Sequence, residues 1–280
     1  MPSLTLPQSY DRLLRFLFYG LIVFLPYCPI VVEMCVLVSL MVWLCKRAWV
    51  VKNFFLIPSL INKPVFIFIL SSILVGLSGI LMNRVSSVFF MQLLSWCVIY
   101  FLVIEVFQRR EQVYIALGLF IVTTLVSALC RIVHFYFTSK ILSGLNEAGV
   151  LILGIPLVFA LIFMKNKKLR YRFLTTGFLS FFVWALALIP LRFSWLAAMI
   201  GGGLVFLVVA TSYKLIDQFK IFFIKDSHLM IVSIGLWAGI CAFLIYSFSG
   251  TNFYLRQFPI YFWLKLGLQG AILNLIREAS

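Results

Sequence analysis

Seven cations of this 280-residue chain, Arg84, Arg131, Lys140, Arg192, Arg256, Lys265 and Arg277, lie apart from the basic clusters that hold its other cations, and five of the seven are arginine. A guanidinium presents a planar fork that grips a phosphate through two parallel hydrogen bonds, which an ammonium cannot do. The chemistry these residues suit is recognition of a phosphate-bearing anion. Around Arg131 the set widens. His134 follows it at i+3, on the same face of a helix. Glu33 lies about one turn into an earlier apolar segment, and Asn146 and Glu147 open a later one. Ionisable groups at membrane depth are costly and usually face a bundle interior or a watery cavity. Arg131, His134, Glu33, Asn146 and Glu147 therefore predict a polar cavity open to one leaflet, with His134 a hydrogen-bonded packing residue in it rather than a general base. Snorkelling to lipid headgroups is the simpler reading for Arg84 and competes for Arg131.

These residues are positioned by long apolar runs, at roughly 14–25, 29–45, 64–82, 87–107, 113–137, 148–164, 173–190, 193–212 and 228–248. The sequence is 64% hydrophobic and 11% charged, with mean hydropathy +1.13, which excludes a soluble globular domain. An all-α bundle of about nine transmembrane helices is predicted. Arg12 and Arg15, then Lys46, Arg47, Lys52 and Lys63, then Arg109 and Arg110, the KNKKLRYR loop at 165–172, and Lys214, Lys220 and Lys225 all fall in alternate gaps, 16 of the 23 cations. Cationic loops resist translocation, so this side and the N-terminus are read as cytoplasmic, and the chain as a multi-pass protein of a bacterial inner membrane. The first two runs are short against the roughly 20 residues a helix needs to cross about 30 Å of hydrocarbon. A tilted or a re-entrant hairpin would serve, and Arg12 and Arg15 mark an uncleaved anchor. Residues 1–248 are read as one transmembrane domain. Residues 249–280, less apolar, are read as a periplasmic tail, or the start of a truncated periplasmic loop, with an amphipathic Phe258–Ile276 section on the outer face.

The net charge of +15 is accounted for by these loops and by attraction to anionic headgroups, so membrane lipids rather than nucleic acid are the expected partners. Six cysteines all fall in or beside apolar runs, without CxxC or histidine at ligand spacing, and read as buried, inert thiols. No metal or nucleotide cofactor is expected. Glu105, with Arg109 at i+4, reads as an ordinary helix ion pair without a function of its own. The glycines at 201–203 with Ala198, and the Gly235–Gly239 pair, are read as helix-packing positions.

Two stretches, SGLNEAGVLILGIPLVFALIF at 143–163 and LRFSWLAAMIGGGLVFLV at 191–208, separated by the basic loop, resemble the O-antigen ligase and polymerase superfamily. Its members are polytopic inner-membrane proteins with an Asn-containing loop entering one helix and an (S)R(G/A)(S/T)W-like turn entering a later one. The resemblance rests on Asn146 ahead of an apolar helix ending in Pro156, and on Arg192-Phe193-Ser194-Trp195. It implies a membrane glycosyltransferase of polysaccharide or lipopolysaccharide biosynthesis. Such an enzyme moves a glycan from an undecaprenyl-diphosphate carrier to lipid A-core sugar, or onto another repeat unit. On that likeness Arg192 contacts the carrier diphosphate, Arg131, Arg84 and Arg256 are further candidates for it, and Arg256 matches a loop entrance weakly. Leu191 replaces the usual serine, and the family's large periplasmic loop with its histidine is not matched. The implied protein is a divergent or truncated member, inactive by itself if truncated. A transporter or flippase of a lipid-linked sugar is the alternative.

Overall fold

Apolar side chains that would be unfavourable in water appear on both faces of the same helices, and that pattern governs how the chain folds. In a computed structural model, described over residues 6–51, 62–63, 65–67, 69–70, 73–74, 87–138, 145–162, 169–187, 198–207, 227–248 and 257–279, every element is helical and the described residues contain no strand. For several residues inside these helices, Arg131, Asn146 and Glu147 among them, only the backbone is described. The elements are α1 (Leu6–Phe24), α2 (Pro29–Cys45) continued by a π-helical turn (Lys46–Val51), α3 (Ser87–Val106), α4 (Arg110–Thr138), α5 (Leu145–Ile162) and α6 (Leu169–Ala187). They continue with α7 (Ala198–Leu207), α8 (Ser227–Phe248) and α9 (Gln257–Ala279).

The chain divides into two compact units, residues 1–116 with 254–275, and residues 117–253 with 276–280. In the first unit α1 and α2 form a hairpin. The chain leaves α1 through Tyr27 and Cys28, whose N–H groups both donate to the Phe24 carbonyl at 3.0 Å. Cys28 is the N-cap, and Pro29 starts α2, where its missing N–H costs nothing. The hairpin is longer than predicted. α1 has 19 residues, and α2 with its π turn is a continuous 23-residue helix. Val32, Val36 and Ser39 form its buried stripe, while Ile30, Met34, Leu37, Met41 and Leu44 make an exposed apolar face opposite. Ile30 is 73% exposed and Met41 67%. Such a helix suits hydrocarbon on one side and protein on the other.

Two described helices, Pro29–Val51 and Arg110–Phe137, are long and apolar enough to cross a membrane. Trp96–Val106, Phe173–Ala187, Ala198–Leu207 and Leu229–Ala242 are shorter apolar helices.

α9 is not an amphipathic surface helix: every residue from Ile260 to Ile272 is buried, Lys265 and Gln269 included. Gly267 lets α9 approach α3, since a Cβ there would lie 2.7 Å from Val103 Cβ and 3.1 Å from the Tyr100 carbonyl. Four residues earlier, Trp263 meets Tyr100 edge-on at 6.4 Å. The contacts advance in the same direction along both helices, so α3 and α9 run parallel.

In the second unit the small-residue reading holds at two of its positions. A Cβ on Gly235 would lie 2.7 Å from Ala160 Cβ and 3.1 Å from Leu157 Cα, and one on Gly201 would lie 2.8 Å from both Ala242 Cβ and Pro156 Cγ. Gly202 and Gly203 have open space instead. The cysteines differ from expectation: all six are free thiols and none is fully buried, and Cys130 is exposed on α4.

Candidate functional site

Packing of small residues decides which predicted site residues share one end of the second unit. Gly154 of α5 meets Thr124 of α4, with 2.9 Å between its Cβ position and Thr124 Cγ2. With only residues 139–144 between them, α4 and α5 are antiparallel neighbours. At 1.5 Å rise per residue, His134 stands about 15 Å from that contact and Asn146 about 12 Å, in the same direction. Arg131 and Glu147 fall between, by backbone position.

α7 joins them. Pro156 meets Gly201, and one turn further along both helices Ala160 and Val205 share one core cluster with Ala238 of α8. The contacts advance together, so α5 and α7 are parallel and the start of α7 lies at the same end as Asn146 and Glu147. Arg192, Arg84 and Arg256 lie outside the described residues. His134 is half-buried at this end and has interactions of its own. Tyr136 meets Trp184 of α6 edge-on at 6.1 Å, and Trp184 meets Phe181 at 6.5 Å. Exposed Tyr136, Phe137 and Trp184 form the kind of aromatic rim found at membrane interfaces. Below it a groove of ≈480 Å³ between α4 and α6 is lined by Leu125, Val126, Leu129, Leu174, Gly177, Phe178 and Phe181. Glu33 is half-buried one turn into α2, in the other unit.

The first unit holds a site that sequence reasoning missed. The spacing Glu105 to Arg109 presumes a continuous helix, but α3 ends at Val106 and Arg109 lies beyond it, exposed. Glu105 turns to the end of α2 instead. One oxygen accepts from Trp43 Nε1 at 2.6 Å and from Arg47 Nη2 at 2.7 Å, and the other from Lys46 Nζ at 3.2 Å. Trp43, Lys46 and Arg47 stand at i, i+3 and i+4 and so share a face. The Arg47 guanidinium also lies over the Trp43 ring, 5.6 Å from its centroid. Lys46 bridges on to Asp11 of α1 at 2.8 Å. The Glu105 side chain is 6% exposed, Arg47 8% and Lys46 11%. The i, i+3, i+4 pattern of one indole and two cations at an apolar helix end was the available signal, but pairing it with Glu105 required knowing that α2 and α3 meet.

This cluster forms one wall of a polar cavity of ≈380 Å³ that Gln8, Asp11, Arg12, Arg15, Lys46, Glu105, Val106, Gln108, Arg109 and Gln112 line. The opening of α4 is built for the turn. Gln112 at N3 accepts from the Arg109 N–H at 3.1 Å, half of a capping box, and Glu111 sits in the positive first turn. No group of three His, Cys, Asp or Glu able to hold a metal occurs among the described residues. Comparisons with family models, with curated proteins and with solved structures return no match.

Proposed function

We propose that the chain is a multi-pass inner-membrane glycosyltransferase of the O-antigen ligase or polymerase type, which takes a glycan from an undecaprenyl-diphosphate carrier. The observation that carries this reading is the parallel packing of α5 and α7 through Pro156 and Gly201. It puts the helix that Asn146 opens beside the helix that the Arg192 segment enters, the two places where the sequence resembles that superfamily. A cation ahead of a helix N-terminus adds to the positive end of the dipole, where phosphate binds. In the transfer, an acceptor hydroxyl oxygen bonds to the anomeric carbon as the bond from that carbon to the carrier diphosphate breaks, and the hydroxyl proton is lost to the departing diphosphate or to water. The negative charge gathers on the diphosphate, and stabilising it there is the arginine's contribution. The apolar groove between α4 and α6 would take an isoprenoid chain.

The membrane reading is supported by the apolar exposed face of α2 and by the embedding of α9. If α3 runs from the outer to the cytoplasmic side, as its flanking charges imply, α9 does so too. Arg277 then joins the cationic side and Ser280 is cytoplasmic, which fits the charge bias better than a tail outside.

The test compares wild type with Arg192→Lys and Arg192→Ala at matched expression, first in direct binding of an undecaprenyl-diphosphate-linked glycan. Lys keeps the charge but loses the fork, so binding should fall from Arg to Lys to Ala. Equal binding by all three would remove the diphosphate role. Binding without glycan transfer to any acceptor, with carrier appearing on the far leaflet of proteoliposomes, would assign the flippase alternative.

A further inference from the structure

Charge around the ≈380 Å³ cavity of the first unit does not balance. Its two carboxylates are already engaged, Glu105 by Arg47 and Lys46, and Asp11 by Lys46. Arg12, Arg15 and Arg109 also line it, and none of the three has a carboxylate within 4.0 Å among the described residues. The contact made by the Arg15 Nε is with the Asp11 carbonyl, at 3.0 Å, a bond that aims the guanidinium without neutralising it. The same three arginines line a second, adjoining space of ≈400 Å³ with Phe16, Tyr19 and Ile115. Glu111 borders that groove and offsets part of the charge.

The groove has the form of an amphiphile's imprint. Arg12, Arg15, Phe16 and Tyr19 follow one face of α1, at i, i+3, i+4 and i+7, while Gln112 and Ile115 offer one face of α4. Tyr19 ties the two, its hydroxyl 3.5 Å from the Gln112 carbonyl. Phe16 is 73% exposed and Ile115 52%. Three guanidinium groups at the head of an exposed apolar groove match an anion that carries its own hydrocarbon. We infer that Arg12, Arg15 and Arg109 form a binding site for an anionic phospholipid, with its phosphate in the polar cavity and an acyl chain along Phe16, Tyr19 and Ile115. The site is independent of any glycosyl transfer at the other unit. It lies where α1 starts and α3 ends, on the side the charge bias makes cytoplasmic, so the lipid comes from the inner leaflet.

Native mass spectrometry of the purified full-length protein, loaded with phosphatidylglycerol or with phosphatidylcholine of the same chains, tests this. Wild type should retain phosphatidylglycerol in preference. A basic side chain near an anionic lipid surface is worth about a factor of five, so Arg12→Gln, Arg15→Gln and Arg109→Gln together should weaken retention about a hundredfold. Lys63→Gln, an exposed cation away from the cavity, should leave it unchanged. If the triple variant does not fold, Arg109→Gln alone, exposed beyond the end of α3, should cost about fivefold. Equal retention of the two lipids, or unaltered phosphatidylglycerol binding in whichever of these arginine variants folds, overturns the site. Displacement of the lipid by millimolar inorganic phosphate at fixed ionic strength would show that the cavity takes the free anion, and overturns the lipid assignment.

Discussion

Replacing Glu105 by glutamine keeps the shape of the side chain and removes its charge, which leaves two desolvated cations without their shared carboxylate. Arg47 and Lys46 are almost as buried as Glu105 itself, and water reaches the cluster only from the cavity that Lys46 and Glu105 line, so it replaces the carboxylate poorly at Arg47. Removing one partner of a buried pair costs about 3–5 kcal/mol, more than the pair contributes over an apolar replacement, because the remaining charge stays in low dielectric. The cost should fall mainly on Arg47. Lys46 retains Asp11 at 2.8 Å, and Asp11 is 46% exposed, so that end of the network can relax toward solvent. Two consequences follow for reversible unfolding in mixed detergent micelles. Glu105→Gln should lose about 3–5 kcal/mol, and adding Arg47→Met to it should recover a large part of that loss. Lys46→Met alone should cost less than Glu105→Gln. A loss under about 1 kcal/mol for Glu105→Gln, the scale of a solvated surface pair, would refute the buried-network reasoning. So would strict additivity of Glu105→Gln and Arg47→Met, since contacting charges must couple.

Gly235→Ala should destabilise by about 1–3 kcal/mol, the cost of overpacking, because its Cβ would meet Ala160 and the Leu157 backbone inside 3.2 Å. Gly202→Ala, with open space around it, should be neutral or slightly stabilising through helix propensity, and paired thermal melts compare the two. If α9 crosses the membrane in the same direction as α3, as proposed, cysteine-accessibility labelling at residue 280 and within 165–172 should place both on the cytoplasmic side. Labelling of residue 280 from outside would restore the nine-crossing arrangement and remove α9 from the span.

The charge bias and the apolar runs made the helices legible. The predicted run 29–45 coincides with α2 residue for residue, and 87–107, 148–164 and 228–248 lie within three residues of α3, α5 and α8 at each end. Periodicity failed where a helix is buried on all sides. α9 carries Lys265, Gln269 and Asn274 among its apolar residues, and a window average reads these as a wet face. In the fold, Lys265 and Gln269 lie in protein, fully buried. The same limit hid the Glu105 cluster. Local spacing offered Arg109 as its partner, although the apolar run already ends at 107, and the true partners sit on α2, whose meeting with α3 no local spacing reveals.

At the other unit the sequence supplied separate residues with no means of joining them, because the pairing of α5 with α7 depends on which small residues face each other. Gly201 is packed against Pro156 while Gly202 and Gly203 are not, and three consecutive glycines look alike in a sequence. Their difference is rotational: successive residues turn by about 100° on a helix, so only one of the three can face α5. That contact, with Ala160 and Val205 one turn further on, sets α7 parallel to α5 and brings residue 198 to the end of α5 that Asn146 opens. A substitution at Gly201 should therefore disturb the α5–α7 contact, and with it the carrier binding proposed above, whereas the same change at Gly203 should leave the packing intact.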